Sequence, residues 1–297
     1  MSYCNIHVLS MNNLSEDARR YALENLNETD ENRRYCLENI RLWLQNDVPW
    51  IKGRSEDKYI LPFLRGCKFN LTKTKMKLKN YYMMKRDRPE WFSNRNPLLP
   101  EIQALVKLGA FVPLKHTQDN KMVIIIRTAA HDPKIHTWND VFKVGKMILD
   151  VACQEIVNAQ IFGVIAIFDM TGMGFTHYKS MTPTLIKNVV FAWQNYHVRP
   201  KQLEYINSPT YINIALRIFK SFMTEKMRGR VKVHFGGVEE AQTIVAKDIL
   251  PVEYGGSGES LNNLSQFWVE QLLKYRDWFA EDEFYKAEQT EASSIMN

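Results

Sequence analysis

Apolar residues recur along this chain with two different periods, and the change between them divides it. Over the first hundred positions they return every three or four residues, the spacing that gives a helix one buried stripe. Leu14-Ser15-Glu16-Asp17 is a capping signal and predicts a helix continuing towards Leu26. Thr29 or Asp30 caps the next helix, in which Cys36, Leu37, Ile40, Leu42 and Trp43 form the stripe until Pro49 stops it. A short helix follows over 57–65, with Tyr59, Ile60, Phe63 and Leu64 on its buried side. Asn70 or Thr72 then opens a basic helix with Met76, Leu78, Tyr81, Tyr82 and Met83 available for packing, and Pro89 and Asn96-Pro97 end the run. Residues 1–99 therefore read as a helical amino-terminal domain, the residues up to about Met11 being a frayed tail.

After residue 100 the texture changes. Segments 122–127 and 164–168 are short, β-branched and apolar at nearly every position, the pattern of strands covered on both faces. Between them, 140–157 reads as a helix with Val141, Val144, Ile148, Val151 and Ala152 towards a sheet. A second crossover runs over 182–193, and 203–207 and 232–235 supply further strands. Strands alternating with helices predict an α/β domain with a mostly parallel sheet over 100–256. In 257–297, Phe267, Trp268, Leu272, Leu273 and Trp278 predict a docked terminal helix, and the polar tail after Glu288 is expected to fray.

Composition narrows the function classes. With 297 residues, 45% of them hydrophobic and 24% charged, the chain can enclose a large core. Its longest apolar runs are too short to cross a bilayer and its first residues are polar, so a cytoplasmic address is expected, with transient visits to membrane surfaces. Four cysteines, Cys4, Cys36, Cys67 and Cys153, are scattered without a Cys-x-x-Cys pair, so free thiols are expected and no metal site. The net charge of +6 is modest; no nucleic-acid partner and a monomeric state are expected. The positive charge concentrates at Lys73, Lys75, Lys77, Lys79, Lys85, Arg86 and Arg88, which reads either as a solvated helix face or as a surface that meets phosphate.

The common α/β enzyme loops are missing: there is no Gly-Lys-Ser/Thr phosphate loop, no Gly-x-Gly-x-x-Gly and no Gly-x-Ser-x-Gly. Gly172-Met173-Gly174 and Gly255-Gly256-Ser257-Gly258 read as turns. His131, His136, His177 and His197 are possible bases, but nothing in the sequence joins one to a nucleophile and an orienting carboxylate. Asp169, at a strand end, is expected to satisfy backbone N–H groups of the following turn, and Arg127 to make an internal hydrogen bond or ion pair. The chain is thus expected not to be an enzyme, with no catalytic residue and no cofactor.

A family resemblance covers nearly the whole chain. Phe63-Leu64-Arg65-Gly66-Cys67-Lys68-Phe69 precedes a helix carrying Tyr81-Tyr82. Then come Ala166-Ile167-Phe168-Asp169-Met170-Thr171-Gly172, Tyr205-Ile206-Asn207-Ser208-Pro209, Phe222-Met223-Thr224-Glu225-Lys226 and Leu250-Pro251-Val252-Glu253-Tyr254-Gly255-Gly256. In this order they resemble the CRAL-TRIO lipid-binding family, and within it the α-tocopherol transfer protein and retinaldehyde-binding protein branch. The resemblance implies a helical amino-terminal domain packed on an α/β lipid-binding domain whose closed pocket has a mobile helical gate. It implies binding of one small hydrophobic lipid, a retinoid, tocopherol or other isoprenoid, and its transfer between membranes. A phosphatidylinositol exchanger, or an adaptor recruited by phosphoinositide, is the alternative.

Candidate pocket residues are Phe142, Phe168, Val189, Trp193, Tyr196, Ile212, Leu216 and Phe219, each of which could equally be ordinary core. Gly145 and Leu149 stand where the resemblance implies serine hydroxyls near a tocopherol head, so this chain must satisfy that head elsewhere or take another ligand. The gate is expected over 210–223, showing Ile212, Ala215, Phe219 and Met223 to a membrane at helical spacing. By resemblance, Arg199, Lys226 and Arg230 hold a phosphoinositide headgroup that promotes release, and a family arginine is replaced by Cys67, with Lys68 beside it.

Overall fold

The computed structural model of the protein describes residues 14–210 and 212–288. The tails expected to fray, before Met11 and after Glu288, lie outside the described residues. Helix α1 spans Glu16–Tyr21 and continues as a π-helical turn over Ala22–Leu26, which Asn27 ends at φ 64°. It is followed by α2 over Asp30–Leu42, α3 over Asp57–Gly66, α4 over Leu71–Asp87, α5 over Pro89–Phe92 and α6 over Pro100–Lys107. The choice between alternative caps is made by hydrogen bonding. The Thr29 hydroxyl accepts from the Asn32 N–H at 3.0 Å, and the Asn70 side chain accepts from the Lys73 N–H at 2.9 Å.

Five strands follow: β1 Phe111–Gln118, β2 Lys121–Arg127, β3 Val164–Asp169, β4 Pro200–Ile206 and β5 Val231–Val233, adjacent in that order. β1 and β2 form an antiparallel hairpin and the remaining neighbours pair in parallel. Strand β1 has no counterpart in the sequence reading. Pro113 withholds a ladder donor, only Val112, Pro113 and Leu114 are buried, and the register slips between Pro113 and Thr117, so no clean period of two survives. The last strand is also shorter than expected and ends before Phe235, which is exposed.

The crossovers explain why a cavity can form on one side. Helices α7 (Trp138–Glu155) and α8 (Val157–Ile161) join β2 to β3, and α9 (Phe175–Ser180) and α10 (Pro183–Asn195) join β3 to β4. Helices α11 (Ile212–Phe222) and α12 (Glu225–Arg228) join β4 to β5. Right-handed crossovers between strands added in one direction place their helices on the same face. Met122, Ile124 and Ile126 accordingly pack towards α7, α10 and α11, whereas the alternate residues Val123 and Ile125 pack against the opposite layer. That second layer comprises α13 (Glu239–Ile244), the loop to Tyr254 and the start of α14 (Leu261–Lys274); α15 (Arg276–Asp282) closes the described chain.

Buried charge ties the helical layers together. Asp282 on α15 accepts from Lys85 Nζ at 2.6 Å, Arg95 at 2.6 Å and Arg54 Nε at 3.2 Å. Arg95 reaches onward to Asp150 of α7 at 3.0 Å. A second set joins Arg65 of α3 to Glu28 through two 2.8 Å bonds and to Gln160 of α8 at 2.9 Å. Lys85, from the basic run of α4, is thus an interior residue, while Lys75 and Lys79 lie over the rings of Trp43 and Trp50.

Candidate functional site

Between the sheet and α7, α10 and α11 lies an apolar cavity with room for the centres of water-sized spheres over about 110 Å³. Its walls come from elements that the sequence made apolar on more than one side. Helix α7 contributes Phe142, Gly145 and Leu149, β3 contributes Phe168, and α10 with the residue after it contributes Val189, Trp193 and Tyr196. Helix α11 closes it with Ile212, Leu216 and Phe219. The ten residues singled out from the sequence therefore meet around one space. Phe168 stacks on Tyr205 at 4.5 Å and 9° and leans on Trp193 at 6.1 Å, which fixes the floor. Trp138 and Trp91, which the sequence reading passed over, hold Phe142 from two sides at 5.7 Å each.

The orientation of α11 differs from the sequence expectation. Ile212 and Met223 are buried and Ala215 and Phe219 line the cavity, so the stripe expected to face a membrane faces inward. The reason is the void itself: a helix laid over an apolar cavity turns its richest stripe towards it. Ile214 and Ile218 are left outside, 67% and 40% exposed.

Gly145 is explained by β1. A Cβ there would stand 2.7 Å from the Phe111 ring, so the ring occupies the room that a side chain at 145 would need. Gly145→Ser is accordingly expected to cost roughly 1–3 kcal/mol through overpacking. Adding Phe111→Leu should recover part of that loss, a favourable coupling readable in a double-mutant cycle of thermal denaturation. Independent, additive effects would show that the ring does not keep position 145 bare.

Polar groups at the rim are committed to structure. The Asp169 carboxylate accepts from the Thr171 N–H at 2.9 Å, as the sequence suggested, and also from Thr171 Oγ1 at 2.6 Å, Asn207 at 2.8 Å and Tyr254 OH at 2.7 Å. Burial alone would raise this group, but those hydrogen bonds outweigh it and hold Asp169 below the usual carboxylate range. Arg127 donates to the Leu108 carbonyl at 3.0 Å, and Gly172 takes a positive φ of 75° in the turn. Burial lowers His131 to about 4 and His197 to about 3, so both rings are neutral at pH 7. Among the described residues no group of three or more histidine, cysteine or carboxylate side chains could hold a metal ion.

Beneath the carboxyl end of α3 is a second, basic recess. Arg199, Lys226 and Arg230 line it together with Lys77, which the sequence placed in the basic run without singling it out. Arg199 donates to the Ile161 carbonyl, Arg230 to the Pro200 carbonyl, and Lys77 to the Tyr196 carbonyl at 3.0 Å. Lys226 is exposed and is lowered by partial burial and then by the nearby charges of Arg230, Lys68, Lys201 and Lys73. Lys68, also exposed, thus belongs to the same cationic field, and Cys67 lies near enough to influence Lys77 and Arg199. The arrangement concentrates positive charge with few carboxylates to spend it on, and two of its cations remain in water.

The profile of the CRAL/TRIO domain matches residues 107–256, and that of the Pinta-like UBA domain matches residues 29–102. The mouse (Mus musculus) alpha-tocopherol transfer protein-like is 26% identical over 271 residues, 91% of this chain and 78% of its own. Clavesin-1 of Xenopus laevis is 25% identical over 207 residues, 69% of this chain and 62% of its own. The crystal structure of Sfh5 superposes with a TM-score of 0.48 at 12% identity, covering 83% of this chain and 99% of that one. No described helix is long and apolar enough to cross a membrane.

Proposed function

The chain belongs to the CRAL/TRIO family, and on that premise we propose that it carries one small hydrophobic molecule between membranes in the cytoplasm and releases it at phosphoinositide-bearing surfaces. The observation that carries this reading is the apolar cavity closed by α11. A ligand there gains roughly 0.8 kcal/mol for each methylene taken from water, so affinity needs no reactive group. Retinoids and other isoprenoids fit this chemistry, and tocopherol enters because a relative bears its name. A carrier reading is also economical with the titratable groups: His131, packed behind Trp138 of the wall, is buried and neutral, and the Asp169 carboxylate is saturated with donors.

Helix α11 is the gate in this proposal, since among the helices it packs mainly on α10 and otherwise spans the cavity. The basic recess lies beside its carboxyl end, where Lys226 and Arg230 follow on α12 and the turn after it. A phosphoinositide headgroup held there would draw Ile214 and Ile218 to the same membrane.

Organic extraction of the purified chain followed by mass spectrometry is expected to release a lipid in near-stoichiometric amount. Vesicles loaded separately with labelled isoprenoid and labelled phosphatidylinositol would then show which is taken up. A chain that yields no lipid and takes up neither is not a carrier; preferential uptake of phosphatidylinositol would make it an exchanger instead.

A further inference from the structure

One side chain of the cavity is out of keeping with its walls. Lys146, on α7 next to Gly145, lines the apolar space, and no hydrogen bond or ion pair joins it to any described residue. Its surroundings are rings: Nζ lies 4.9 Å from the centre of Trp91, 5.1 Å from Tyr196 and 5.6 Å from Phe92. Such rings orient an ammonium but supply no counter-charge. The nearest acid along the helix, Asp150, is already held by Arg95 at 3.0 Å and by the Tyr196 hydroxyl. Burial pulls Lys146 down to about 8, with Asp150 opposing, so at pH 7 most of it is still protonated. Of the other polar groups of the wall, Arg127 donates to the Leu108 carbonyl and Thr128 Oγ1 to the Asp169 carbonyl.

We infer that the cavity takes an amphiphile with a carboxylate head, and that the Lys146 ammonium is the counter-charge it meets among the rings of Trp91, Phe92 and Tyr196. This rests on the carrier reading and names the chemical class of its cargo. A charge enclosed by apolar walls is tolerated where an opposite charge completes it, and an ammonium–carboxylate pair in a low-dielectric space is strong and charge-assisted. An alcohol or ester head supplies no negative charge, so the same chain with an acid terminus is favoured. The apolar walls then hold the tail while Lys146 fixes which end goes deep.

The test uses three probes with one tail: oleic acid, oleyl alcohol and methyl oleate, each displacing a fluorescent apolar dye from the purified full chain at pH 7. Oleic acid is expected to displace the dye at concentrations at least tenfold lower than the other two. In Lys146→Met, which keeps the length of the stem, the ratio of acid to alcohol should fall to about one. Equal displacement by acid and alcohol in the parent protein overturns the inference without reference to any variant, as does a Lys146→Met protein that keeps the preference. Displacement by none of the three likewise overturns the inference, whereas the carrier reading falls only if the chain also yields no lipid and takes up neither isoprenoid nor phosphatidylinositol.

Discussion

Replacing Asp282 with alanine is expected to destabilise the protein by about 3–5 kcal/mol, the cost of leaving buried cations without their partner. Asp282 is 4% exposed and faces Lys85, Arg95 and Arg54, so its removal leaves Lys85 without a carboxylate and strips one partner from each of the two arginines. Burial by itself would raise this carboxyl, but Lys85 and Arg95 outweigh it and hold Asp282 down to about 2. The same burial takes Lys85 down to about 8, with Asp282 opposing the fall and Arg95 adding to it. The sign follows from the carboxyl: its folded value lies below its unfolded one, so its contribution is complete above about pH 4 and is lost as pH falls towards 2. Asp150 works in the opposite sense, since burial raises it despite Arg95. Denaturant titrations from pH 5 to pH 2 should therefore show a steeper acid loss in the parent than in Asp282→Asn. Parallel curves would mean that Asp282 is not the group that anchors α15.

The second large effect is expected at the membrane. Lys68→Glu with Lys226→Glu should slow delivery to phosphoinositide vesicles roughly thirtyfold or more, from the loss of about 2 kcal/mol of attraction at about 1 kcal/mol per basic residue, with repulsion by the two new carboxylates adding to it. These two are chosen because both are exposed, whereas Arg199 and Arg230 hold backbone carbonyls and would confound binding with folding. Melting temperature and ligand loading should stay close to the parent, as is usual for surface positions. Delivery that is equally fast with and without phosphoinositide in the acceptor, in parent and variant alike, would rule out the basic recess as the trigger.

Much of the fold was legible because local chemistry and tertiary packing agree. Ser15, Thr29 and Asn70 cap the helices they were expected to cap, and the apolar strands 122–127 and 164–168 lie in the middle of the sheet. What escaped depends on distance along the chain. The Arg95 to Asp282 contact spans 187 residues, and no periodicity announces it. Phe111 and Trp91 reach the cavity from a strand and a short helix outside the α7 to α11 region, so a search along the crossover helices passes them by. Helix α11 was read with the right stripe and the wrong side, because spacing identifies an apolar face without saying whether membrane or cavity lies beneath it. Lys146 escaped for a related reason: in a helical stripe a lysine reads as solvent-facing, and only the folded arrangement shows its amine turned towards aromatic rings.

A void under α11 also ties the protein's persistence to its supply. The lining of an empty cavity lacks contacts on one side, and a cargo that fills it stabilises the native state by about 2.7 kcal/mol at a hundredfold excess over its dissociation constant. A chain emptied faster than it is refilled spends more time open to proteases and chaperones. On the carrier reading, scarcity of the cargo lowers the number of carriers and abundance preserves them, so the steady amount of this protein becomes a gauge of how much cargo there is to carry.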